Sequence, residues 1–219
     1  MPQINFKPDI IFTPKVTGTL YRAPDFRTPE TIDCRDYLLP TENQGSTPQC
    51  AAYSGTAYLE RYNWQRTGKP VNLPPDDLYR HAKTIDGYPD EDGTTLEAIM
   101  KSMIQLGWTD KKESDIRFFD DSQTLKRVIH KYGCALIACD ICTQWQIQMG
   151  LDMEKSIGNP LGGHAVICCG YDRTGVFIQN SWGDIWGKFG FCRIHWGCFN
   201  KEFRIGSYYA NETDNMEGN

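Results

Sequence analysis

Two separated segments carry side chains that can act on one another chemically. Asn43-Gln44-Gly45-Ser46-Thr47-Pro48-Gln49-Cys50 runs directly into Ala51-Ala52-Tyr53-Ser54. The second segment is Gly162-Gly163-His164-Ala165-Val166, followed by Gln179-Asn180-Ser181-Trp182-Gly183-Asp184-Ile185-Trp186-Gly187. They supply a thiol, an imidazole, an amide to orient that imidazole and a second amide to hold an oxyanion. A cysteine nucleophile needs those four parts.

Each residue also has a plainer reading. A cysteine taken alone is more often a buried packing residue. Cys50, however, sits where a Gly/Ser/Thr/Pro loop turns into a helix, and the positive end of a helix favours thiolate. A histidine alone is more often a satisfied core residue. His164 follows two glycines that let the backbone approach a neighbour closely, and it opens an apolar strand. Asn180 could be an ordinary turn asparagine. At a strand end, its neutral amide can instead accept the imidazole N–H and fix the tautomer.

These groups need elements to hold them. Helical periodicity starts at Thr47 and carries Cys50 through about four turns, until Thr67-Gly68-Lys69-Pro70 stops it. Pro74-Pro75 opens a short second helix. Thr94-Thr95 can cap a third, with Leu96, Ile99, Met100 and Met103 on one face. Asp121-Ser122 precedes a fourth, Leu125 to Lys131. After Gly133 the period changes to that of strands: 134–139, 164–169, 175–179 and 189–195. The order is therefore helical, then β. Residues 1–28, with four prolines and no sustained period, read as an extended arm, and the acidic 211–219 as a disordered tail.

The 219 residues suffice for one large domain or two small lobes. A net charge of −5 argues against a nucleic-acid partner. No apolar run approaches the roughly 18 residues of a membrane span, and no apolar region follows the N-terminal residues as in a secretory signal. Nine cysteines leave at least one outside any disulfide in a monomer. Cys134, Cys168, Cys169 and Cys192 lie in strand-like runs, which suits a reducing compartment; a disulfide-stapled secreted domain is the alternative. Cys139-Asp140-Ile141-Cys142 lacks the second ligand pair of a zinc site, so no metal is expected. His81, His130 and His195 have no partner pattern. Pro89 to Gly93 reads as a solvated turn.

The chain resembles the papain-like cysteine peptidases over roughly residues 28 to 210. The resemblance rests on three motifs: Asn-Gln-Gly-Ser with a cysteine six residues after the glutamine, His-Ala-Val opening a strand that ends in Gly-Tyr, and Asn-Ser-Trp-Gly-x-x-Trp-Gly-x-x-Gly. His164 lies 114 and Asn180 130 residues after Cys50, near the family's spacing of roughly 130–150. The implied fold is α+β, papain-like and two-lobed: a helical lobe (29–125) with the nucleophile, then an antiparallel β-barrel-like lobe (126–210) with His and Asn, and a cleft between them.

The resemblance implies Cys50 as thiolate nucleophile, His164 as its imidazolium partner and Asn180 as the orienting amide. Gln44, with the Cys50 N–H, would form the oxyanion hole. Trp182 would cover the His–Asn hydrogen bond and Trp186 line the primed side of the cleft. Gly93 and Thr94 would bind substrate backbone, and Gly163 and Tyr208 would border the pocket for the second residue before the cut. The implied activity is that of a cysteine endopeptidase acting on polypeptides, with no cofactor. Cysteine usage, charge and hydropathy add the expectation of a cytoplasmic monomer with no membrane or nucleic-acid partner; a leaderless exported effector fits the same pattern. Acyl transfer by a deamidase, transglutaminase-like enzyme or peptide ligase is the alternative chemistry. A catalytically inactive binding homologue is the non-enzymatic one, and the presence of all four of Gln44, Cys50, His164 and Asn180 speaks against it.

Four positions depart from the family pattern. Thr47 removes half of a common disulfide, Pro48 deletes an N–H, Ala51 replaces a tryptophan and Thr94 a glycine. About 28 residues precede the resemblance, so the long inhibitory propeptide is not expected; either the enzyme is made active or residues 1–28 pack on the body, cross the cleft and gate it.

Overall fold

The structure is a computed structural model that describes residues 20–22 and 27–211. Most of the expected arm, and the tail beyond Asn211, lie outside the described residues. The parts of the arm that are described pack on the body. The Tyr21 N–H donates to the Phe118 carbonyl at 2.7 Å, and Arg22 pairs with Asp120 and Asp121.

The four expected helices form. Helix α1, Cys50–Thr67, starts after Gln49 and ends at Gly68, whose φ of 69° gives a left-handed cap. It is buried almost all round through Tyr62 and serves as the central helix. Helix α2, Pro75–Ile85, has proline in its first turn. In α3, Leu96–Gln105, the Thr95 Oγ1 accepts the Ala98 N–H at 3.0 Å. In α4, Ser122–Tyr132, the Asp121 carboxylate accepts the Thr124 N–H at 2.8 Å. Both are side-chain caps that satisfy otherwise orphaned helical donors. Two shorter helices, α5 (Thr143–Gln146) and α6 (Trp196–Glu202), lie in segments without a helical signature.

Among the described residues eight strands form one sheet: β1 Ile32–Asp33, β2 Ile116–Phe119, β3 Ala135–Cys142, β4 Asp152–Met153, β5 Pro160–Tyr171, β6 Gly175–Gln179, β7 Phe191–His195 and β8 Phe203–Tyr209. Their order is β2-β8-β3-β5-β6-β7-β4, with β1 also paired to β5. The pairing is antiparallel except for the parallel β4–β7 pair. The path is open, with β2 and β4 at its ends, within a mixed α+β fold. β1 and β2 come from the stretch read as helical yet join this sheet, so chain order does not separate the two layers.

β8 carries no obvious strand pattern because of Gly206. The glycine is required there: a Cβ would sit 2.2 Å from the Phe119 ring, which packs across the strand.

Candidate active site

The loop before α1 and the loop after β6 are sewn together by backbone bonds. Asn43 and Trp182 form an antiparallel bridge. Gln44 N–H donates to the Ser181 carbonyl at 2.8 Å, and Gly183 N–H to the Glu42 carbonyl at 2.9 Å. Gly45, at φ 59°, makes the turn that sends the chain toward α1, and its N–H donates to Asn43 Oδ1. The nucleophile loop and the asparagine loop are thus one unit, although far apart in sequence.

Cys50 is the first residue of α1 and fully buried. One turn later the Ser54 hydroxyl donates to the Ala165 carbonyl at 2.9 Å, which pins α1 to β5 beside His164. Across the sheet Cys139 pairs with His164, and its thiol lies within electrostatic reach of Cys50. α1 and β5 therefore converge on the thiol and the imidazole from two sides.

One shared acceptor fixes the imidazole tautomer. The Ser181 backbone N–H donates to Asn180 Oδ1 at 2.8 Å, so that atom must be oxygen. His164 Nε2 lies 2.8 Å from the same atom and must therefore be the donor. Nδ1 is left as the proton-accepting nitrogen. Burial pushes His164 down to about 4, against the smaller upward pull of Asn180. Burial disfavours the charged ring here.

Gln44 is held as rigidly. Its Oε1 accepts the Ser181 hydroxyl at 2.6 Å, and its Nε2 donates one proton to the Thr47 carbonyl at 2.9 Å. The second Nε2 proton can serve another acceptor. Cys50 opens α1, and the Ala52 and Tyr53 N–H groups that follow it donate to the Gln49 carbonyl. Ser181 thus links both amides: its backbone orients Asn180 and its side chain orients Gln44.

Aromatic rings close the site. Trp182 packs against His164 with centroids 4.6 Å apart. Trp145, which the sequence did not single out, meets His164 edge-on at 6.1 Å and stacks on Trp186 at 6.0 Å. Trp186 Nε1 donates to the Trp145 carbonyl at 2.6 Å. All three indoles are buried, so Trp186 forms a second layer behind Trp182 instead of an open cleft wall. No spacing rule marks Trp145; it follows Cys142 in a segment weighed only for metal binding.

The expected substrate-contact residues divide. Gly163 directly precedes His164 on β5 and is buried. Gly93 and Thr94 enter α3, and the Gly93 N–H and carbonyl are held by Tyr79 and Lys83 of α2. Tyr208 is not brought to the catalytic group. Tyr209, the next residue, faces α1 and α3 through Tyr58 and Met100. Alternation on the strand turns Tyr208 to the other face, where its ring meets Tyr132 at 5.0 Å, Tyr21 at 6.0 Å and Phe119 at 6.1 Å. A hollow of about 590 Å³ lies at the far end of α1, beside Tyr62, Arg66, Lys111 and Tyr132, remote from Cys50.

Comparison with known proteins places the chain in a family. The model of the papain family cysteine proteases matches residues 86–210, which include His164 and Asn180. Chicken (Gallus gallus) cathepsin K is 26% identical over 215 residues, 81% of this chain and 62% of that protein. Caricain from Carica papaya is 29% identical over 190 residues, 73% of this chain and 53% of that protein. The chain thus spans between half and two thirds of the length of these curated relatives. Xylellain, a cysteine protease from Xylella fastidiosa, superposes with a TM-score of 0.74 at 15% identity, covering 95% of this chain and 97% of that one. With more than half of its length matched by the family model, the chain belongs to the papain family of cysteine proteases.

Proposed function

We propose that this chain hydrolyses peptide bonds through an acyl-enzyme on Cys50. The observation that carries this reading is the single acceptor Asn180 Oδ1, which fixes His164 as an Nε2–H tautomer and leaves Nδ1 as the proton-accepting nitrogen. Nδ1 takes the Cys50 proton, and the resulting thiolate attacks the peptide carbonyl. The thiolate and imidazolium so formed compensate each other's charge. The Cys50 N–H and the second Nε2 proton of Gln44 hold the tetrahedral oxyanion; one such donor is worth roughly 10²–10³ in rate. His164 protonates the leaving amine, and water then cleaves the thioester with His164 as base. Trp182 and Trp145 keep bulk water from the His–Asn bond.

Cys50 and His164 are both fully buried, so substrate must reach a site that opens to admit it. Gly163, Gly93 and Thr94 are the residues that would meet the peptide backbone. No cofactor or metal enters these steps. No helix among the described residues is long and apolar enough to cross a membrane. We place the chain in a reducing setting such as the cytoplasm, acting as a monomer on polypeptides; the burial of Cys134, Cys168, Cys169 and Cys192 as packing residues supports the reducing setting.

The test is intact mass after a thiol-reactive epoxide of the E-64 type, on wild type, Cys50→Ala and His164→Ala. One adduct on wild type, absent from Cys50→Ala and slowed in His164→Ala, is expected. A peptide digest carrying new termini then reports hydrolysis. Adduct formation on Cys50→Ala at the wild-type rate would refute the assignment.

A further inference from the structure

Arg61 lies on α1, eleven residues beyond Cys50, or about 16 Å at the helical rise. It is fully buried, yet among the described residues no carboxylate pairs with it. Its Nη1 donates to the Tyr132 carbonyl at 3.0 Å and to Gln65 Oε1 at 3.1 Å, and approaches the Cys134 sulfur at 3.7 Å. The Tyr37 ring lies 5.9 Å away. A Cβ on Gly133 would fall 2.0 Å from this guanidinium, so the charge is wedged against the start of β3. A buried cation without an anion is costly. The ionisable groups around it are thiols. Burial works against its charge, but Cys134, then Cys34, and Cys169 hold its pKa above the ordinary value.

Strand register shows why those thiols gather. β6 pairs with β5 across Ile167–Tyr171 and so takes one edge of that strand. β1 pairs with the same β5 residues, Tyr171 and Gly170, and must take the other edge. β3 occupies that second edge from Cys168 onward. The end of β1 and the start of β3 therefore abut opposite Cys169. Cys34 N–H donates to the Cys169 carbonyl at 2.9 Å, and Cys134 directly precedes the Ala135–Cys168 pair. The thiols of Cys168 and Cys169 donate to the Gly170 and Phe177 carbonyls and are fully buried. Cys34 is only half-buried, while Cys134 lies behind it against Arg61.

We propose that Cys34 and Cys134 form a second thiol site, separate from Cys50, which hydrogen peroxide converts to a reversible Cys34–Cys134 disulfide. The half-exposed Cys34 sulfur attacks peroxide; an S–O bond forms, the O–O bond breaks and one water leaves, giving the sulfenic acid. The Cys134 sulfur attacks that sulfur, the S–O bond breaks and a second water leaves. Two thiols lose two electrons and two protons, and one peroxide becomes two waters. Arg61 stabilises the negative charge that develops on Cys134 as its proton departs. The link joins the N-terminal strand to β3 and leaves the catalytic centre untouched.

The experiment uses the full chain with Cys50→Ala, so that the nucleophile is silent and the outcome is independent of peptidase activity. After hydrogen peroxide and alkylation of the remaining thiols, peptide mapping should give one cross-linked pair containing Cys34 and Cys134, lighter by about 2 Da and reversed by dithiothreitol. A further Cys34→Ser change should abolish it and leave Cys134 alkylatable. Arg61→Gln, with its fold checked by circular dichroism, should slow formation about tenfold, the effect of one pKa unit at the sulfur. Three results would overturn the proposal: both thiols still alkylated after peroxide, oxygen adducts on Cys34 without cross-linking, or a cross-link through Cys168 or Cys169.

Discussion

Burial of His164 makes stability depend on acid in a way that isolates one side chain. In the folded chain the imidazole is pushed down to about 4 from an ordinary 6.5. Between those values the unfolded chain binds a proton that the folded chain refuses. The contribution of the neutral ring is therefore complete above pH 6.5 and is lost as pH falls toward 4. The 2.5-unit difference corresponds to a loss of about 2 kcal/mol at pH 5 and about 3 kcal/mol at pH 4. Other carboxylates also titrate over this range, so a variant is needed. His164→Gln keeps an amide N–H to donate to Asn180 Oδ1 and does not titrate. Urea unfolding of both proteins at intervals from pH 4 to 7.5 reads the difference directly. Wild type should lose about 3 kcal/mol more than His164→Gln by pH 4. Equal acid sensitivity in the two would mean that His164 is not neutral and buried in the folded state, and the base assignment would lose its footing.

Three other outcomes follow from the same contacts. Glu60 is raised to about 7 by burial, against the opposing pull of the Leu73 N–H, so its protonated form is preferred; that contribution is present below pH 4.5 and lost as pH rises through 7. Glu60→Gln should therefore unfold at higher urea than wild type at pH 8, by about 1–3 kcal/mol, and match it below pH 4.5. Ser181→Ala removes the hydroxyl that holds Gln44 Oε1. If the proposed oxyanion role is right, kcat should fall about tenfold with KM nearly unchanged, the loss of roughly one hydrogen bond. A rise in KM alone would place Gln44 in substrate binding. Gly206→Ala should destabilise the chain by about 1–3 kcal/mol, because the added Cβ meets the Phe119 ring; thermal unfolding at the wild-type midpoint would contradict that packing.

Side chains that act on their own neighbours were legible in the sequence. Thr95 and Asp121 cap the helices that their position announced. Gly68 and Gly133 end α1 and α4 because they adopt positive φ without strain. The apolar run 175–179 is β6 over its full length. The positions of Cys50 at the start of a helix, His164 on a strand and Asn180 after a strand could be read as well, since a helix N-terminus and a strand end are local features. Their union could not. It depends on the Asn43–Trp182 bridge and the Ser54–Ala165 bond, which join residues more than a hundred positions apart. The same long-range pairing hid β8, whose Gly206 looks like a strand breaker until Phe119 is seen packed across it. It also turned Tyr208 away from α1, placed Trp145 beside His164 and buried Trp186 behind Trp182. Sequence alone determined which groups could react and which elements would carry them, because propensity, capping and period are set by near neighbours. Only the tertiary structure decided the burial of His164 and its hydrogen bond to Asn180, and it brought Cys34 and Cys134 to one sheet edge. Burial and strand register come from residues that meet only when the chain folds.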